Sequence, residues 1–133
     1  MLGAAIGVER TRRGHPAGFR TMAMVCTGAC LFTLLGAEVF SRNTDPTRIA
    51  AQVVTGIGFL GAGAILQGRA GIRGLTTAAT IWVVAAIGMA AGFGVYVLAV
   101  GSAVIVLGAL LIMRVVRRRL AAGVVVGDLD DEG

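Results

Sequence analysis

Lysine is absent from this 133-residue chain, histidine occurs once, and all 12 basic residues are arginine. A base-composition bias in the coding DNA accounts for that choice as readily as any function. Charged residues make up only 14%, too few for a disordered chain, a coiled coil or an ordinary soluble enzyme. Aromatics amount to 5% and the arginines lie between apolar runs, which excludes a nucleic-acid surface despite the net charge of +5, because that reading needs a charged face with stacking rings. Cys26 and Cys30 share a helix face at a spacing that does not favour a bridge. Two thiols fall short of the four ligands of a zinc site, so they read as packing residues. His15 and Ser41 fall in loops on opposite sides of the membrane and cannot pair as base and nucleophile. No span holds an aspartate pair for intramembrane proteolysis. The expectation is a protein that is not an enzyme and carries no cofactor.

Apolar residues are what the chain has in excess. They make up 56%, joined by 21 glycines, at a mean hydropathy of +0.86, and this points to a polytopic membrane protein. A bilayer core about 30 Å thick needs roughly 20 residues of apolar helix, with about 17 the minimum. The uncharged runs are Thr21–Ala37 with 17 residues, Ile49–Gly68 with 20 and Gly74–Met113 with 40. The last would be about 60 Å long as one helix, so it folds back, with a reversal at Gly92-Phe93-Gly94. It reads as two spans, Leu75–Ala91 and Val95–Met113. Met1–Val8 lacks the basic flank and cleavage site of a signal peptide and reads as the end of a further span. The expected fold is therefore all-α, a small bundle of about five transmembrane helices, the first truncated at its N-terminus. Residues 1–119 form the transmembrane domain, and 120–133 a short acidic mobile tail.

Arginine asymmetry orients the bundle. The first loop, the third loop and the C-terminal flank together carry ten arginines, against Arg42 and Arg48 in the second loop. With alternating helices the ten lie on one side, which places the C-terminus in the cytoplasm of a multi-pass inner-membrane protein.

Gly56-Ile57-Gly58-Phe59-Leu60-Gly61 matches the dinucleotide fingerprint, but inside a hydrophobic span and without the following acid it has no such meaning. Its glycines suit close approach of membrane helices. Gly3 with Gly7, Gly58 with Ala62, and Gly88 with Gly92 are small residues four apart, while Gly94, Gly101 and Gly108 recur every seven. Gly56, Gly61 and Gly63 join this packing set. Two readings stand: packing inside the bundle, or contact with a second copy or partner. A homo-oligomer, with a dimer favoured, is expected in the bilayer.

Few polar residues interrupt the spans. Glu38 and Asp45 flank the second loop and are weak candidates for a hydrated cation; no firm metal site emerges. Asp45 also reads as a helix N-cap ahead of Pro46. Arg20 and Arg48 suit anchoring at lipid phosphates, and Thr76, Thr77 and Thr80 suit bonds to carbonyls of their own helix. Gln52 lies about one turn inside its span, where an amide needs a partner, and Trp82 lies deeper than the interfacial belt. Glu9 is expected to pair with Arg20 or Arg73 at the cytoplasmic edge.

Three blocks carry a resemblance. The first is Gly3-Ala-Ala-Ile-Gly-Val-Glu9-Arg10 followed by Ala17-Gly18-Phe-Arg20-Thr21. The second runs from Asp45 through Arg48, Gln52 and Gly56 to Gly63, and the third from Ile72 through Arg73, Thr76 and Thr77 to Trp82 and Gly88. In this order the chain resembles the MgtC/SapB family of bacterial inner-membrane proteins. The resemblance implies a five-helix membrane domain and a link to growth at low magnesium, acid stress and survival inside host cells. It also implies a regulator acting through helix contacts on a membrane partner such as the F-type ATP synthase, rather than an established magnesium transporter. Longer members carry a soluble C-terminal domain. The expected function is a non-enzymatic regulator, with a Mg²⁺ or proton transporter as the alternative. Glu9, Arg20, Asp45, Arg48, Gln52, Arg73, Thr76, Thr77 and Trp82 are its candidate functional residues.

Overall fold

The computed structural model describes residues 1–38, 45, 47–68 and 71–127. Its elements are α1 (Leu2–Arg12), α2 (Phe19–Glu38), α3 (Thr47–Gly63), β1 (Leu66–Gly68), β2 (Gly71–Arg73), α4 (Leu75–Gly92) and α5 (Tyr96–Gly127). The chain divides into two compact units, Met1–Ala103 and Val104–Gly133. The first holds α1 to α4 and the start of α5; in the second, the described residues continue α5 to Gly127.

Among the described residues the fold is all-α, with five helices and one short β-hairpin. Three stretches, Phe19–Glu38, Leu75–Gly92 and Tyr96–Met113, are long and apolar enough to cross a membrane. α3 has 17 residues and α1 has 11. The 20-residue run that begins at Ile49 does not become one helix: α3 stops at Gly63, and Leu66–Gly68 pairs antiparallel with Gly71–Arg73. Gly61-Ala62-Gly63 weakens the helix there, and the chain leaves the hairpin through Gly74. That residue has φ +90°, and a Cβ on it would collide with the Ala64 carbonyl. At the other end of the chain, α5 continues past the arginines to Gly127, so residues 120–127 of the expected mobile tail are helical. Leu120, Ala121 and Ala122 are good helix formers, and no proline stops the helix. Asp128 to Gly133 lie outside the described residues.

α4 is the central helix of the first unit. It packs chiefly on α2 and then on α3, while α1 packs on α2. Its buried residues include Thr77, Ile81, Val84, Ile87, Gly88 and Gly92, spaced at three, four and seven, so one broad face is covered. Ile6, Met22, Val84 and Ile87 form the centre of this core. Glycine makes the close approaches possible. A Cβ on Gly7 would fall 2.6 Å from Phe19 Cα, and one on Gly92 would fall 2.7 Å from the Cys30 carbonyl oxygen. A Cβ on Gly88 would collide with the carbonyl of Cys26. Cys26 and Cys30 are free thiols on the α2 face that these glycines meet.

The reversal between α4 and α5 is a Schellman closure. Val95 N–H donates to the Ala90 carbonyl at 2.9 Å and Gly94 N–H to that of Ala91 at 3.1 Å. Gly94 adopts φ +75°, a conformation costly for a residue with a Cβ. Its role in this chain is conformational, since among the described residues nothing lies within 4 Å of a Cβ placed there.

Candidate functional site

The polar centre of the first unit is assembled where α1 ends and α4 begins. On α1 the buried residues are Gly3, Ile6, Gly7 and Arg10, one stripe at helical spacing. The two glycines bring that stripe hard against α2 and carry Arg10 inward with it. Arg10 is 1% exposed, and its Nη2 donates to Thr77 Oγ1 at 2.8 Å. Burying a guanidinium is costly unless it is hydrogen-bonded and its charge is balanced. Glu9 supplies the nearby negative charge, and itself forms an ion pair with Arg13 one turn further along α1. This arrangement corrects the expected pairing of Glu9 with Arg20 or Arg73. A helical i,i+4 pair needs no loop to close it, and both Arg20 and Arg73 are exposed.

The three threonines at the start of α4 divide their roles. Thr80 donates to the Thr76 carbonyl at 2.6 Å, the internal bond expected of a helical threonine. Thr77 is buried and is the acceptor for Arg10. Thr76 is exposed. Arg10 therefore belongs to the polar centre, although the sequence reading, which met it as a first-loop cation and at the end of the first block, left it out of the candidate functional residues. Its place seven residues after Gly3 on an apolar stripe was the signal that could have found it.

At the start of α3, Asp45 Oδ1 accepts hydrogen bonds from Thr47 N–H at 2.9 Å and from Thr47 Oγ1 at 2.7 Å. These bonds, with Arg48 nearby, hold its carboxyl below the ordinary 3.8. Asp45 thus serves as a cap at the head of α3. Glu38 is exposed, and the described residues hold no group of three or more His, Cys, Asp or Glu able to bind a metal ion.

Gln52 and Arg48 are exposed on α3. Gln52 and Gly56 line a cavity of about 520 Å³ between α2 and α3. Trp82 is 52% exposed and borders a separate groove of about 270 Å³ between α3 and α4. The expected packing glycines divide in the same way. Gly88 and Gly92 meet α2, and Gly61 lies 3.7 Å, by its notional Cβ, from Ala78 on α4. Gly56, Gly58, Gly63 and Gly101 meet nothing within 4 Å among the described residues of their unit, so they take no part in packing there.

A small apolar helix bundle, with three helices long and apolar enough to cross a membrane and a buried arginine tying its first helix to its central one, has the character of a membrane protein. A sequence model of the MgtC family matches residues 1–119. Over 120 residues, 90% of this chain and 51% of the relative, it is 45% identical to Protein MgtC of Salmonella typhimurium. It is 51% identical over 110 residues, 77% of this chain and 51% of the relative, to the Escherichia coli K12 protein named "Putative magnesium transporter YhiD". It is also 49% identical over 94 residues, 71% of this chain and 39% of the relative, to Protein MgtC of Brucella abortus. The chain belongs to the MgtC family. It spans about half the length of the first two of these relatives, and no solved structure matches it.

Proposed function

We propose that the protein is a non-enzymatic regulator in the bacterial inner membrane, linked to magnesium and acid-stress homeostasis and acting through helix contacts on a membrane partner. The F-type ATP synthase is the candidate partner. α1, α3 and the three longer helices form the five-helix membrane domain, with the arginine-rich loops and the C-terminus in the cytoplasm.

The observation that carries this reading is Trp82. It sits near the middle of α4, the best-covered helix of its unit, yet stays half exposed beside a groove whose walls include Ala86 and Ala90. Small residues let a second backbone come close in lipid. A tryptophan beside them offers a large contact area and an N–H donor. A partner helix laid in this groove would bury both.

A photocrosslinking amino acid placed at Ala86, in cells grown at low magnesium, tests the reading. Adducts to one integral membrane protein that vanish with Trp82→Ala support it. Transport is the opposing reading, prompted by the name of the Escherichia coli relative. Flux of Mg²⁺ or protons through purified protein in liposomes, abolished by Gln52→Ala, would overturn the regulator.

A further inference from the structure

The second cleft of the unit lies between α2 and α3. Two cavities of about 520 Å³ each share Val25 and Leu60 and so adjoin along the cleft, the second also reaching Thr77 and Ile81 of α4. Its two ends differ in chemistry. At the α1–α2 end the wall includes Pro16, Ala17 and the hydroxyl-bearing Thr21 and Thr77. From there the lining turns apolar, through Val25, Phe59 and Leu60 toward Phe32 and Ile57. Gln52 is the one amide in the farther lining; hydroxyls at one mouth and a mostly apolar length have the profile of a lipid, headgroup outward and chain inward.

Charge decides the class of headgroup. Arg10 is bonded to Thr77, which lines the polar mouth. Arg20 is exposed and directly precedes Thr21, which lines the same mouth. At the opposite mouth the exposed Arg48 acts on Asp45, whose charge offsets it. An excess of positive charge therefore stands at the mouth that also carries the hydroxyls.

We infer that the α2–α3 cleft binds an anionic phospholipid, its acyl chain along Val25, Phe59 and Leu60 and its phosphate at Arg20. A basic residue at a membrane surface favours an anionic lipid by about fivefold. The selectivity is local, because the α3–α4 groove beside Trp82 is lined by apolar residues and alanines.

Fluorescence quenching by brominated lipids tests this in phosphatidylcholine vesicles, since bromine quenches only on near contact. Phe59→Trp in a Trp82→Phe background reports on the cleft, and native Trp82 reports on the other groove. Dibrominated phosphatidylglycerol is expected to displace phosphatidylcholine at position 59 with at least a fivefold preference, and with almost none at Trp82. Arg20→Gln lowers the preference at position 59 and Arg48→Gln leaves it unchanged. An unaltered quenching curve at Trp82 in the Arg20→Gln chain certifies the fold. Equal quenching by the two brominated lipids at position 59 overturns the inference, as does a preference that survives Arg20→Gln undiminished. Failure of both lipids to quench there while both quench Trp82 also overturns it, and means that protein, such as a second copy of the chain, covers the cleft.

Discussion

Arg10 and Thr77, 67 positions apart, are joined by a buried hydrogen bond of 2.8 Å. It fixes the end of α1 to the start of α4 and brings Arg10 and the adjacent Glu9 into the same corner of the unit. Bonds from a charged donor contribute about 1.5–3 kcal/mol in water, and side-chain bonds between membrane helices average about 0.6 with a maximum near 1.7. Thr77→Val should therefore destabilise the unit by about 1–2 kcal/mol in detergent unfolding, and Thr77→Ser should retain most of the stability. Adding Arg10→Met to Thr77→Val should recover part of the loss, since the guanidinium left without its acceptor is then gone. A double variant less stable than Thr77→Val would show that the bond is incidental.

Glycine substitutions should separate the two halves of the packing set. A Cβ on Gly88 meets the backbone carbonyl of Cys26, which cannot step aside without moving α2. Gly88→Ala should cost about 1–3 kcal/mol, as overpacking does. Gly101 has open space around its Cβ position, and alanine is the better helix former there by up to about 1 kcal/mol. Gly101→Ala should leave unfolding unchanged or raise its midpoint. Both variants are read in the same detergent titration.

The division between those two glycines also marks what the sequence could convey. Hydropathy located α2 and α4 to within two residues, because charges or glycines stop both runs at their ends. It overran α3, because Ile65, Leu66 and Gln67 are as apolar or as neutral in a hairpin as in a span. Spacing identified Gly88 and Gly56 alike as small membrane residues, and nothing in spacing says that a Cβ on one meets Cys26 while a Cβ on the other meets nothing within 4 Å among the described residues. The polar centre was legible as residue types and not as pairs. Thr77 stood among the candidates as part of the third block and as a threonine suited to carbonyls of its own helix, while its partner Arg10 was left out of them, because nothing in the sequence shows that α1 carries it inward.

Acid should loosen the head of α3 before it affects the rest of the unit. The Asp45 carboxyl is held below its ordinary value by hydrogen bonds from Thr47. A depressed folded pKa means that the charged form is favoured by folding. The stabilisation is complete above the unfolded value near 3.9, and is lost as pH falls through the lower folded value. Asp45→Asn keeps an acceptor for Thr47 N–H without the titration. Amide hydrogen exchange over 47–50 should accelerate below about pH 4 in the native chain, beyond its intrinsic pH dependence, and show no such step in the asparagine variant. A step of equal size in both would remove Asp45 as its cause.

Glu9 and Arg73 should part company in a functional assay, although both stood in one expected cluster. Glu9 lies beside the buried Arg10 and pairs with Arg13, so Glu9→Gln leaves two arginines at the end of α1 without their counter-charge. One of them is in a setting where an unbalanced charge is costly. Arg73 ends the β2 strand on the surface, where removing a charge typically changes stability by less than about 0.5 kcal/mol. In a complementation assay for growth at low magnesium, Glu9→Gln should fail and should lower the amount of protein in the membrane. Arg73→Ala should accumulate normally, so a growth defect in that variant at full membrane level would assign Arg73 a contact with a partner rather than a part in the fold. If Glu9→Gln grows and accumulates like the native chain, the counter-charge is dispensable, and the Arg10–Thr77 bond alone holds the corner together.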